Sequence, residues 1–142
     1  PKATYRCMSA GTNWLRFHWR KGPTAMATII GIINGMNTAF PHSHSYITEF
    51  NPNTNEVVWE YRDDPCTFFY SHHISGAERL KTGNTLICEG SFGRIFEVTP
   101  DGKIVWEFVN PHFDLMFAGD HVNWVFRAFR YASDSPEIAG RL

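Results

Sequence analysis

The stretch "GNTLICEGSFGRIFEVTPDGKIVWEFVNP", Gly83 to Pro111, decides how this chain folds. It divides into three short apolar runs, each stopped by residues that turn a backbone. Asn84 to Cys88 is a β-type run broken by Gly90, Ser91 and Gly93. Arg94 to Val98 is a second, closed by Pro100, Asp101 and Gly102. Lys103 to Val109 is a third, with Ile104, Trp106 and Phe108 on one face. In "TPDG" the proline fixes φ and the glycine tolerates positive φ, which makes a tight turn. The preceding "ISGAERLKTG" supplies one more strand ending at Gly83, so four antiparallel strands are expected within about forty residues.

Working outward, the same order recurs upstream. "ITEFNPNTNEVVWEY" (Ile47 to Tyr61) aligns with "IFEVTPDGKIVWEF" (Ile95 to Phe108). Glu49 falls on Glu97, Pro52 on Pro100 and Trp59 on Trp106, at spacings of 48, 48 and 47 because one turn is a residue longer. "TIIGIING" (Thr28 to Gly35) matches "GNTLICEG", and "FHWRKG" matches "ERLKTG" more loosely. Downstream, "VFRAFRY" (Val125 to Tyr131) resembles "ISGAERL", with Ala128 on Ala77 and Arg130 on Arg79. A four-stranded unit repeating at roughly 40–50 residues is the signature of a β-propeller blade. The expectation is an all-β propeller fragment: a degenerate blade over about 12–61, a clean blade over about 73–109, and a closing strand over about 123–131. Two blades and a strand cannot close a ring, so the remaining blades are expected as partners. A small β-sandwich is the competing fold, and the aligned Glu, Pro and Trp positions argue against it.

The 142 residues carry a net charge of −1 and are 43% hydrophobic and 15% aromatic. This composition excludes disorder and offers no basic face for nucleic acid. The longest uncharged apolar stretch, Ala25 to Met36, is too short for a membrane span and holds Gly31, Asn34 and Gly35. Pro1 in place of Met, with no leader behind it, predicts the tail of a larger protein. Cys7, Cys66 and Cys88 have no metal-type spacing; Cys88 reads as core, and Cys7 and Cys66 are free to pair.

Two longer passages, "FFYSHHISGAERLKTGNTLICEGSFGRIFEVTPDGKIVWEFVNPHF" followed by "VFRAFRY", and "NGMN…HSYITEFNPNTNEVVWEYRDDP", resemble the C-terminal part of the arylsulfotransferase-like family. The likeness runs from about Thr28 to Leu142 and is weaker before Ala27. The resemblance implies a propeller, six-bladed in characterised members. It also implies transfer of a sulfuryl group from a phenolic sulfate to a phenol through a sulfated histidine, with no nucleotide donor or other cofactor. Location outside the cytoplasm, periplasmic or extracellular, and the aryl sulfate and phenol as small-molecule partners, are implied on the same ground. An oligomer is compatible with it.

The strand order makes a geometric prediction of its own. Segments 34–45, 63–74, 89–93 and 110–122 fall on one rim, and they contain His42, His44, His72, His73, His112 and His121. The other rim has only short turns, and function concentrates on elaborated loops. His73 opens an innermost strand and is the candidate nucleophile. Arg79 further along it, Arg130 at the matching place in the next unit, and His18 at the matching place in the first are candidates for the sulfonate oxygens. Each Arg has a plain structural alternative, pairing between units. His72 and His44 are candidate substrate contacts, or hydrogen-bonded loop residues. His42 and His44 alternate along a strand but lack a third ligand, so no metal site is expected. Asp63-Asp64 reads as a solvated turn, and Trp59 and Trp106 as locks between units. A non-catalytic propeller that presents its histidine-rich rim to a small molecule or protein is the alternative function.

Overall fold

Thr99 to Lys103 show how the turns set the architecture. The Thr99 N–H donates to the Lys103 carbonyl at 2.9 Å and the Gly102 N–H returns to the Thr99 carbonyl at 2.9 Å. Gly102 sits at φ +83°, where a side chain would be strained. A computed structural model describes residues 15–21, 27–35, 44–51, 53–116, 119–138 and 140–141. Around that turn, β5 (Ser75–Arg79), β6 (Thr85–Glu89), β7 (Arg94–Val98) and β8 (Ile104–Val109) form an antiparallel sheet in chain order. Upstream, β1 (Leu15–Lys21), β2 (Ala27–Gly35), β3 (His44–Asn51) and β4 (Glu56–Tyr61) form a second sheet of the same order. A small ribbon, β9 (Asp114–Leu115) with β10 (His121–Val122), follows. The fold is all-β and antiparallel, with no sheet closed on itself. Its helical content among the described residues is two three-residue 3-10 turns, at Cys66–Phe68 and Gly90–Phe92. No helix among them is long and apolar enough to cross a membrane.

The sequence repeat is a structural repeat down to its irregularities. Glu49 pairs with Trp59 across β3–β4, and Glu97 with Trp106 across β7–β8. In both ladders the register slips at the next residue, between Glu49 and Phe50 and between Glu97 and Val98. A bulge there re-aims the side chains before the turn.

The sheets pack through apolar faces. Ile47, Tyr61, Phe69, Ile87, Phe96 and Val98 form the buried core, with Trp59 and Ala77 against it. Phe69 meets Phe96 edge-on at 5.5 Å, and Tyr61 tilts against Phe96 at 5.9 Å. Cys88 is buried beside this core, as its apolar run predicted, and both Cys88 and Cys66 are free thiols. Cys7 lies outside the described residues.

A staple repeats with the sheets. Arg79 Nη2 on β5 donates to Glu49 on β3, and Arg79 Nη1 donates to the Gly83 carbonyl at 2.9 Å. The Arg79 guanidinium lies 4.4 Å over the Trp59 ring, and Trp59 Nε1 donates to the Pro100 carbonyl at 2.8 Å. One unit later, Arg130 donates to Glu97 and stands 5.8 Å from the Trp106 ring. The inter-unit pairing of these arginines, weighed from sequence, is thus formed twice. Glu49 is 12% exposed at its side chain, so removing Arg79 strands a mostly buried carboxylate. Arg79→Ala should destabilise by about 2 kcal/mol, below the ~3–5 of a fully buried pair because this end is partly wet. A double-mutant cycle with Glu49→Gln, read by urea unfolding, should recover about half of that loss.

Residues 123–131, the expected closing strand, join no ladder among the described residues. They are pinned instead: Val125 N–H donates to the Gly90 carbonyl at 3.0 Å, and Cys88 Sγ donates to the Val125 carbonyl at 3.4 Å. Gly90 permits this approach, since a Cβ there would lie 2.2 Å from the Val125 oxygen and 2.7 Å from the Ile74 oxygen. Gly90→Ala should therefore loosen residues 123–131 and cost about 1–3 kcal/mol, visible as faster amide exchange at Val125. Trp106, expected as a lock, is 43% exposed, because Arg130 covers only one edge of it.

Candidate functional site

The antiparallel order brings the ends β2/β3, β4/β5, β6/β7 and the end of β8 to one rim, as Gly35 opposite His44, Ser75 opposite Glu89 and Arg94 opposite Val109 attest. The loop from Cys66 to Ile74 lies on that rim. Three buried serines hold it: Ser45 at the start of β3, Ser71 in the loop and Ser91 in the second 3-10 turn. The Ser45 N–H donates to the Phe69 carbonyl at 2.7 Å, and the Ser71 N–H to Ser45 Oγ at 3.0 Å. The Ser71 hydroxyl donates to the Ile74 carbonyl, and Ser71 Oγ accepts the Ser91 N–H at 3.1 Å. Ser71 Oγ and Ser91 Oγ are 2.9 Å apart, and Ser91 Oγ is 3.1 Å from His73 Nδ1.

His73 is exposed on top of this network. Its ring lies 4.1 Å from the His72 ring and meets Trp124 edge-on at 4.5 Å; Tyr70 stacks on the far side of His72 at 6.2 Å. Partial burial, then the neighbouring His72 charge, hold the His73 pKa below its ordinary value. That shift favours the neutral imidazole at neutral pH.

An ionic cluster braces the loop from below. Glu89 accepts the Tyr70 N–H at 2.8 Å and pairs with Arg94 at 3.2 Å. Arg94 also donates to Glu107 at 2.6 Å, reaches Asp63 at 3.6 Å, and lies over Phe96. Asp63 therefore turns inward, whereas Asp64 keeps the expected exposure. Burial raises the Glu89 pKa, against the Tyr70 N–H and Arg94, which lower it.

The candidate residues separate into two groups. His72 and His73 come together. His44 is buried at the start of β3 with its ring 6.3 Å from Tyr46, beside the serine network rather than on the exposed surface. Arg79 lies at the turn end of β5, six residues of extended chain or roughly 20 Å from His73, so the two do not share one small ligand. Arg130 sits on Glu97 near that same end. His18 lies on β1 opposite Ile30, with its side chain outside the described residues, and His42 lies outside them altogether. His112 is exposed just before the small ribbon, and His121 is exposed within it. No group of three metal-ligating side chains occurs among the described residues. Sequence reasoning missed Ser71, Ser91, Tyr70 and Trp124. Trp124 was findable, since the repeat that sets Arg130 on Arg79 sets Trp124 on His73.

Comparison with family models, curated proteins and solved structures returned no match.

Proposed function

We propose that the two meanders are neighbouring blades of a β-propeller, completed by further blades, and that its histidine-bearing rim transfers a sulfuryl group between phenols. The blade reading is supported by the repeated bulge and staple, and by β5 packing against both β2 and β1 of the first sheet. The observation that carries the function is His73: an exposed, neutral imidazole fastened by Nδ1, with no partner for Nε2 among the described residues.

In the proposed reaction the Nε2 lone pair attacks the sulfur of an aryl sulfate. The sulfur–oxygen bond breaks and its electron pair leaves with the phenolate. The acceptor phenol then attacks the N-sulfo group, gives its proton to a base, and restores the imidazole. In this reading His72, in ring contact with His73, carries that proton. Tyr70 and Trp124 offer aromatic faces to both phenols. In this reading Arg79 and Arg130 act as staples, and the cations for the sulfonate come from another blade. The test is to mix the intact protein with an aryl sulfate, quench in alkali and digest. Sulfate found on the peptide carrying His73 supports the reaction, and an unmodified peptide under turnover conditions overturns it. The exposed aromatic cluster also fits a second reading, a binding rim without chemistry, which predicts saturable phenol binding with no phenolate release.

A further inference from the structure

We infer that Ser91 is a positioning residue that fixes the His73 tautomer, with the proton on Nδ1 and the lone pair on Nε2. This rests on the sulfuryl-transfer reading for its catalytic consequence, but the tautomer follows from counting protons in the network. Ser71 has one hydroxyl proton. The Ile74 carbonyl can only accept, so the Ser71–Ile74 bond uses that proton. The 2.9 Å approach of Ser71 Oγ to Ser91 Oγ then needs the Ser91 proton. With its own proton spent, Ser91 Oγ has only lone pairs left for His73 Nδ1 at 3.1 Å, and Nδ1 must be the donor. The hydrogen bond at one ring nitrogen decides what the other presents. Nε2 therefore carries the lone pair.

Burial makes the arrangement rigid. Ser71 is fully buried and Ser91 is 7% exposed, so water does not supply substitute protons. Gly90 and Gly93 bracket Ser91. Gly90 is closed in by the Val125 and Ile74 carbonyls, and Gly93, at φ +63°, by Asn123. The turn cannot swing Ser91 aside. In the N-sulfo state the ring is cationic and Nδ1–H a stronger donor, so the same bond strengthens as the intermediate forms.

The experiment uses the intact protein labelled with 15N-histidine, above the His73 pKa. Expected are a protonated-type resonance at Nδ1 and a lone-pair-type resonance at Nε2 of His73. Ser91→Ala should mix the two tautomers and lower turnover of a chromogenic aryl sulfate by about 10- to 100-fold. Ser91→Thr, which keeps the hydroxyl, should restore both readouts. Ser71→Ala touches His73 nowhere, yet it frees the Ser91 proton and should move the resonances toward the Nε2–H form. A wild-type protein with its proton on Nε2, or a Ser91→Ala variant with unchanged tautomer, overturns the inference. The expected tautomer in a protein that turns over no aryl sulfate upholds the positioning and overturns the reaction.

Discussion

Replacing His73 by Gln should abolish the proposed sulfuryl transfer, a loss of about 10^4-fold or more, because a covalent route has no substitute once its nucleophile is gone. Gln keeps a hydrogen-bonding group of similar reach but has no basic lone pair. The side chain is exposed, so the fold loses little: one bond to Ser91, worth about 1 kcal/mol. The pair of readouts is decisive. Turnover should collapse while the melting temperature hardly moves, and the sulfated peptide should vanish. Near-normal turnover would take His73 out of the mechanism. The pH dependence has a definite sign. Partial burial and the His72 charge hold the His73 pKa below its ordinary value near 6.5, which displaces protonation of the proposed nucleophile toward lower pH. The acid limb of kcat/KM should therefore fall below about pH 6.5. His72→Gln, which removes a neighbouring charge, should move that limb upward.

Phe96→Ala should be among the most destabilising truncations of the described residues, costing about 3–5 kcal/mol. Phe96 is fully buried where the two sheets meet, with Phe69 and Tyr61 against its faces and the Arg94 guanidinium 4.3 Å over its ring. Truncation opens a cavity and leaves Arg94 and its carboxylates without their apolar floor. Phe69 would follow, and its carbonyl holds the Ser45 N–H. Urea unfolding should show the lost stability at an unchanged slope. Phe96→Leu should cost less than half as much. An alanine variant within about 1 kcal/mol of wild type would mean that the sheets do not share this core.

The pieces legible in the sequence were those governed by local rules. Gly and Pro marked the turns, alternation marked the strands, and the offset between Glu49 and Glu97 marked the repeat. Strand order then placed His72 and His73 on one rim with no need of side-chain detail. What was not legible depended on side-chain direction and on contacts between units. Arg79 looked like a partner for His73 because both flank one strand; only its reach to Glu49 and Trp59 reveals a staple at the far end. Ser91 looked like a turn former, because its bond to His73 exists only after two loops 18 residues apart have met. Residues 123–131 copied a first strand in sequence, but a strand needs a partner to pair with, and these residues are held by Gly90 and Cys88 instead.

The staple and the histidines occupy opposite ends of the sheets. Arg79, Glu49 and the Trp59–Pro100 bond gather beside the short turns, while the loop from Cys66 to Ile74 and the turn at Gly90 lie at the other end. That separation divides the labour of the chain. At the short-turn end Arg79, Glu49 and Trp59 tolerate little change, since each joins one sheet to the other. The loop end varies only around its own anchors, since Phe69 belongs to the shared core and Ser71 and Ser91 are buried. A loop grafted between Tyr61 and Ser75 therefore has to keep Phe69, Ser71 and Ile74, and the exposed positions beside them are the ones open to rewriting.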